Sequence, residues 1–198
     1  MNNTFIKVLV PVMLWMSQGL CGQQTALLII DVQDFYFPGG KMELVKPELA
    51  GANVKLLLDH FREQGQPIVF VRHNFEPGGS IHEGVRPEKG EPVLSKDHVN
   101  SFHETQLDEI LRGSGVDSLV ICGMQTHMCV EAAVRAAHDQ GYHCTLVEDA
   151  CATRDLVYEG QIIPARSVHL STLQTLKGSY AAIILTRDFI KKNTDQNE

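Results

Sequence analysis

The sequence predicts an α/β domain in three layers, with helices on both faces of a mostly parallel central sheet. Three observations carry this. The chain has 198 residues, 43% of them hydrophobic, enough to bury a full core in one domain without disulfide or metal staples. Its short apolar runs alternate with amphipathic stretches, the pattern of strands that cross over through helices. The clearest run, Ala26-Leu27-Leu28-Ile29-Ile30, is apolar without alternation, as a strand covered on both faces must be.

That first strand, residues 26–30, ends at Asp31. Residues 47–64 have a helical period, with Leu49, Val54, Leu57, Leu58 and Phe61 on one side, and Gly65 stops them. The next strand begins at Pro67 and runs to Val71. Residues 73–95 hold Pro77-Gly78-Gly79, Pro87, Gly90 and Pro92 and read as a long loop, of the kind that often carries function in a compact domain. A helix over residues 105–111 leads into a strand at 118–122, and a helix over 127–140 into a strand at 143–147. A loop then opens with Glu148-Asp149-Ala150-Cys151. A last helix over residues 165–176 and a strand at 181–185 complete the series. With no repeat or linker, residues 23–198 make one domain.

The first 22 residues read differently. Lys7 supplies a positive start, residues 8–16 are apolar apart from Pro11, and Gly19 and Gly22 offer small residues at which a signal peptidase can cut. The expectation is export to a periplasmic or extracellular space; a buried N-terminal strand in the same place would leave the protein cytoplasmic. The run is too short to span a bilayer, so no membrane contact is expected once the segment is removed.

Charge excludes other partners. With 17 Lys+Arg against 24 Asp+Glu, a net charge of −7 and no basic run, the chain lacks the footprint that attracts nucleic acid. The five cysteines, Cys21, Cys122, Cys129, Cys144 and Cys151, form no CxxC pair and no zinc spacing. The nine histidines show neither i, i+4 pairs nor a CxxH spacing, so no metal site and no cofactor is expected.

In open α/β sheets chemistry collects beyond the carboxyl ends of the strands. The glycine-rich nucleotide loops are absent, as is the GxSxG elbow of serine hydrolases. A cysteine remains. Cys129 follows the turn Gly123-Met124-Gln125-Thr126, and with Thr126 as N-cap it falls in the first helical turn, where free N–H groups favour a thiolate at the rim of the sheet. The alternative is a small buried hydrophobe. Cys129 and Arg135 also have the C-x5-R spacing of phosphatases, but Val130-Glu131-Ala132-Ala133-Val134 is helical and turns Arg135 away. Asp31 is placed to accept a proton, and Lys96 to supply a cation, though neither residue type alone selects that role.

At these residues the chain resembles the isochorismatase-like cysteine hydrolases, which include nicotinamidases and N-carbamoylsarcosine amidohydrolase. The matching motifs are Leu28-Ile29-Ile30-Asp31-Val32-Gln33 with Phe37-Pro38-Gly39-Gly40, Gly90-Glu91-Pro92-Val93-Leu94-Ser95-Lys96 with Asn100-Ser101-Phe102, Cys122-Gly123-Met124-Gln125-Thr126-His127-Met128-Cys129-Val130, and Glu148-Asp149-Ala150-Cys151. The resemblance implies the Rossmann-like version of the three-layer fold and a catalytic triad of Asp31, Lys96 and Cys129. It further implies a cis peptide between Met124 and Gln125, and an oxyanion hole from the Gln125 and Cys129 N–H groups. Phe35, Phe37, Asn100, Phe102, His127 and Met128, beside these motifs, are the candidate substrate-pocket residues.

The reaction so implied is hydrolysis of a C–N bond in a small amide, lactam or carbamoyl compound through a thioester, by a homo-oligomer. One departure matters. Family members that act on nicotinamide carry an Asp-x-His-x-x-x-His metal segment, and here the stretch reads Val71-Arg72-His73-Asn74-Phe75. Nicotinamidase and the vinyl-ether hydrolysis of isochorismatase proper are therefore the alternatives, and a binding or assembly module on the same fold is the alternative without catalysis.

Overall fold

A computed structural model describes residues 24–194. The proposed signal segment and Cys21 lie outside these residues. Six parallel strands form the central sheet in the order β3-β2-β1-β4-β5-β8, with β1 Gln24–Ile30, β2 Ile68–His73, β3 Val93–Lys96, β4 Val116–Met124, β5 His143–Ala152 and β8 Ala182–Ile184. The chain builds outward from β1 through β2 to the edge strand β3. It then returns to place β4 on the other side of β1 and continues to β5 and β8, so the direction of build-out reverses between β1 and β4.

Strand alternation divides the core. Ala26, Leu28 and Ile30 face α2 (Leu107–Gly113), α3 (Glu131–Asp139) and α4 (Ala165–Leu176) through Leu107, Leu111, Ala133, Val134, Leu173 and Leu176. Leu27 and Ile29 face α1 (Pro47–Glu63) through Val54, Leu57, Leu58 and Phe61, with Phe189 of α5 (Thr186–Thr194) packed alongside. Each fully buried Leu or Ile contributes about 1.5–3 kcal/mol, which holds the strand ends in register. Pro47 begins α1 at a position where its missing N–H costs nothing, and Gly65 leaves it at φ +62.

Several expectations are corrected. The long loop ends before Val93, because Val93–Lys96 pairs with β2; an edge strand whose outer positions face water needs no apolar run. Glu148-Asp149-Ala150-Cys151 is strand, not loop: an irregularity between Ile121 and Gly123 in β4 lets β5 continue, with Gly123 opposite Cys151. Asp149 accepts bonds from Thr186 N (2.8 Å) and Thr186 Oγ1 (2.7 Å) and so ties β5 to the start of α5. The helix over residues 165–176 is not the last, since α5 follows β8. An antiparallel hairpin, β6 Leu156–Tyr158 and β7 Gln161–Ile163, turns through Glu159-Gly160, both at positive φ, with Val157, Tyr158 and Ile162 exposed.

Candidate active site

Strands β1, β3 and β4 end on the same edge of the sheet, and each leaves a functional group there. Asp31 follows β1 with φ +50, in the left-handed region. Lys96 is the last residue of β3 and lies in register with His73 of β2. Cys129 sits in a π turn, Thr126–Val130, that joins β4 to α3. This is the reversal point between β1 and β4, where a crevice opens at the strand ends of such sheets.

The Lys96 ammonium is the hub. Its Nζ lies 2.8 Å from Asp31 Oδ2, 3.3 Å from Cys129 Sγ and 3.1 Å from His73 Nδ1. Asp31 is 0%, Lys96 1% and Cys129 5% exposed, so the cluster is screened little by solvent. Among the described residues neither Asp31 oxygen accepts an aligned hydrogen bond, and the contact with Lys96 is an ion pair.

Burial raises the Asp31 carboxyl above its usual range, with Lys96 pulling the other way. Burial, reinforced by the Asp31 charge and opposed by Lys96, pushes the Cys129 thiol up to about 12. The expectation of a rim-exposed, lowered thiol is thus corrected: desolvation of the sulfur outweighs the nearby cation. Thr126 does not cap the helix either. Its Oγ1 donates to Ala152 O (3.2 Å) and lies 3.0 Å from His169 Nδ1. At rest the proton therefore stays on sulfur, and a carboxylate whose proton affinity is raised by burial is the better base to remove it. The His73 pKa is lowered, first by burial and then by Lys96.

The Met124–Gln125 peptide is cis. Gln125 is buried, donating from Nε2 to Tyr36 Oη (3.3 Å) and accepting at Oε1 from Arg154 Nε (3.1 Å). Gly123, at φ +126, lets β4 pass against β1: a Cβ there would lie 2.0 Å from Ile30 O.

The six flanking residues have separate placements. Phe35 is buried against Tyr36 and Phe75, and Phe37 stacks on His82 at 3.6 Å. Phe102 and Met128 pack on the core beneath α2 and α3. His127 Nδ1 lies 2.6 Å from Thr153 Oγ1, and Asn100 Oδ1 accepts from Phe102 N. Arg135 pairs with Glu131 one helical turn back, at 2.8 Å. A cleft of about 420 Å³ lined by Leu49, Asn53, Cys151, Thr153 and His169 contains none of the three clustered groups.

His73, Tyr36 and Arg154 enter the site without having been singled out in the sequence. Their signals were position alone: His73 ends the strand beside β3, Tyr36 follows Asp31 by five residues, and Arg154 comes three residues after Cys151. Ligand atoms of Asp31, His73 and Cys129 lie within 4.8 Å of one another, as a metal would need, but Lys96 Nζ stands within 3.3 Å of all three and takes the cation's place.

Comparison with known proteins finds relatives along most of the chain. Residues 25–174 match the family model described as the isochorismatase domain. The isochorismatase family protein YddQ of Bacillus subtilis (strain 168) is 47% identical over 178 residues, covering 84% of this chain and 99% of that protein. The crystal structure of an isochorismatase from Pseudomonas putida KT2440 superposes with a TM-score of 0.80 at 37% identity, covering 83% of this chain and 89% of that one. A ureidoacrylate amidohydrolase of Pantoea ananatis is 24% identical over 223 residues, covering 90% of this chain and 87% of the relative.

Proposed function

The chain belongs to the isochorismatase family of hydrolases, and from that membership and the buried cluster we propose that it hydrolyses a C–N bond of a small amide, lactam or carbamoyl compound with Cys129 as nucleophile. The observation that carries this is Lys96 Nζ held within 3.3 Å of both a buried carboxylate and a buried thiol. A structural cysteine needs neither neighbour.

In the reaction Asp31 takes the proton of Cys129 as the sulfur attacks the carbonyl carbon. Lys96 stabilises the charge while it passes from oxygen to sulfur, and the N–H groups of Gln125 and Cys129 serve the developing oxyanion. The C–N bond breaks, and the amine leaves with the proton from Asp31. Water then gives a proton to Asp31 and attacks the thioester; the C–S bond breaks, the acid departs, and Asp31 returns the proton to sulfur. The Pantoea relative, named as an amidohydrolase, supports the amide class.

The test is ammonia or amine release over primary amides, lactams and carbamoyl amines, with the wild type and Cys129→Ala side by side. Turnover by the wild type, an acyl adduct on Cys129 by intact mass, and a folded, inactive variant are expected. Turnover retained by Cys129→Ala refutes the assignment.

A further inference from the structure

The loop that follows Lys96 carries a second cluster of ligating groups, outside the proposed active site. His98, His103 and Glu104 are all exposed, and one ligand atom from each lies within 4.8 Å of the others. The Glu104 carboxylate stands between the two imidazoles: Oε2 is 3.0 Å from His98 Nε2, and Oε1 is 3.8 Å from His103 Nε2. Both rings thus turn the same nitrogen toward it, with centroids 4.4 Å apart at 65°.

We propose that His98, His103 and Glu104 form a surface site for a borderline divalent cation of the zinc, nickel or copper type. Two imidazole nitrogens and one carboxylate oxygen select these ions over magnesium or calcium, which take oxygen donors. Bonds of about 2.0–2.1 Å in tetrahedral geometry need ligand atoms about 3.4 Å apart, so a pair of side chains at the 4.8 Å limit closes by about 1.4 Å. Their exposure permits that movement and leaves the remaining coordination position to water.

The loop is already shaped for this. Asn100 Oδ1 accepts from Phe102 N (2.9 Å), His103 N donates to Asn100 O (3.2 Å), and Thr105 Oγ1 donates to Ser101 O (2.6 Å). At the start of the loop, Asp97 Oδ1 accepts from Asn74 Nδ2 (2.9 Å). These bonds bring together residues that a helix would separate: His98 and His103 are five apart, about 140° round a helix, which is why histidine spacing alone predicts no site here. The site is separate from the Cys129 cluster, since its groups are exposed while Lys96 is buried.

Zinc titration by calorimetry on the wild type, Cys129→Ala, His98→Ala and His103→Ala, with circular dichroism to confirm each fold, tests the proposal. One equivalent should bind the wild type and Cys129→Ala alike, and each histidine variant should bind at least tenfold more weakly. Cobalt(II) should give visible d–d bands without a thiolate charge-transfer band. No binding by the wild type, undiminished binding by both histidine variants, or binding lost with Cys129 overturns it.

Discussion

Replacing Lys96 by Met removes an ammonium that is 2.8 Å from Asp31 Oδ2 in a site sealed from water. At an effective dielectric of about 20, that contact is worth about 6 kcal/mol of Coulomb attraction. Much of it offsets the desolvation of the two charges, and removing one partner of a buried pair costs about 3–5 kcal/mol. Equilibrium denaturation at neutral pH should show a loss of that size. Below the ordinary Asp range, Asp31 is protonated in both folded and unfolded chains, and the wild type then carries the unpaired charge; there the difference shrinks or reverses. As pH rises through that range the unfolded chain releases the Asp31 proton, whose folded pKa is already raised and rises further without Lys96, while the folded variant holds it. The variant's stability therefore falls with pH until its own Asp31 ionises. The double variant Asp31→Asn/Lys96→Met should recover most of the loss, because a neutral amide needs no proton uptake on folding. Turnover by Lys96→Met should drop by about 10²–10⁴-fold, since a protonated Asp31 cannot accept the thiol proton. A variant within about 1 kcal/mol of the wild type at neutral pH, with no pH dependence, would show that the pair is not a charge pair.

Two further predictions rest on the same edge of the sheet. Asp31→Asn removes a charge that raises the Cys129 pKa, so iodoacetamide should alkylate Cys129 at lower pH than in the wild type, even as hydrolysis is lost; Lys96→Met should move the midpoint of alkylation upward. A midpoint unchanged by both substitutions would refute the electrostatic account. Gly123→Ala drives a methyl to 2.0 Å from Ile30 O at a φ of +126, and should cost about 3 kcal/mol or more by denaturation, with native stability as the contrary result.

Residues 26–30 were legible as a buried strand because a parallel strand covered on both faces must be apolar throughout, and α1 because its apolar period and Gly65 mark both its face and its end. The edge strand β3 was not. Only Lys96 of its four residues is buried, so its composition is that of a loop. The polar end of β5 was missed for a related reason: Glu148 and Asp149 are partly buried, and the irregularity in β4 that lets β5 continue depends on pairing between strands far apart in sequence.

Asp31, Lys96 and Cys129 were all named from the sequence, where the family resemblance implied that they act as a triad. By itself the chain determined the layer order of its elements, through apolar period, and the residue types available at the strand ends, through its motifs. Only the tertiary structure decided that Cys129 is buried, with its thiol driven up to about 12, and that Lys96 stands between the carboxylate, the imidazole and the sulfur. It also decided that His98, His103 and Glu104 meet on one face of a loop. The reason is physical: periodicity is a local property of the chain, whereas desolvation and charge pairing depend on what the fold brings within a few ångströms, here from residues 23 to 65 positions from Lys96.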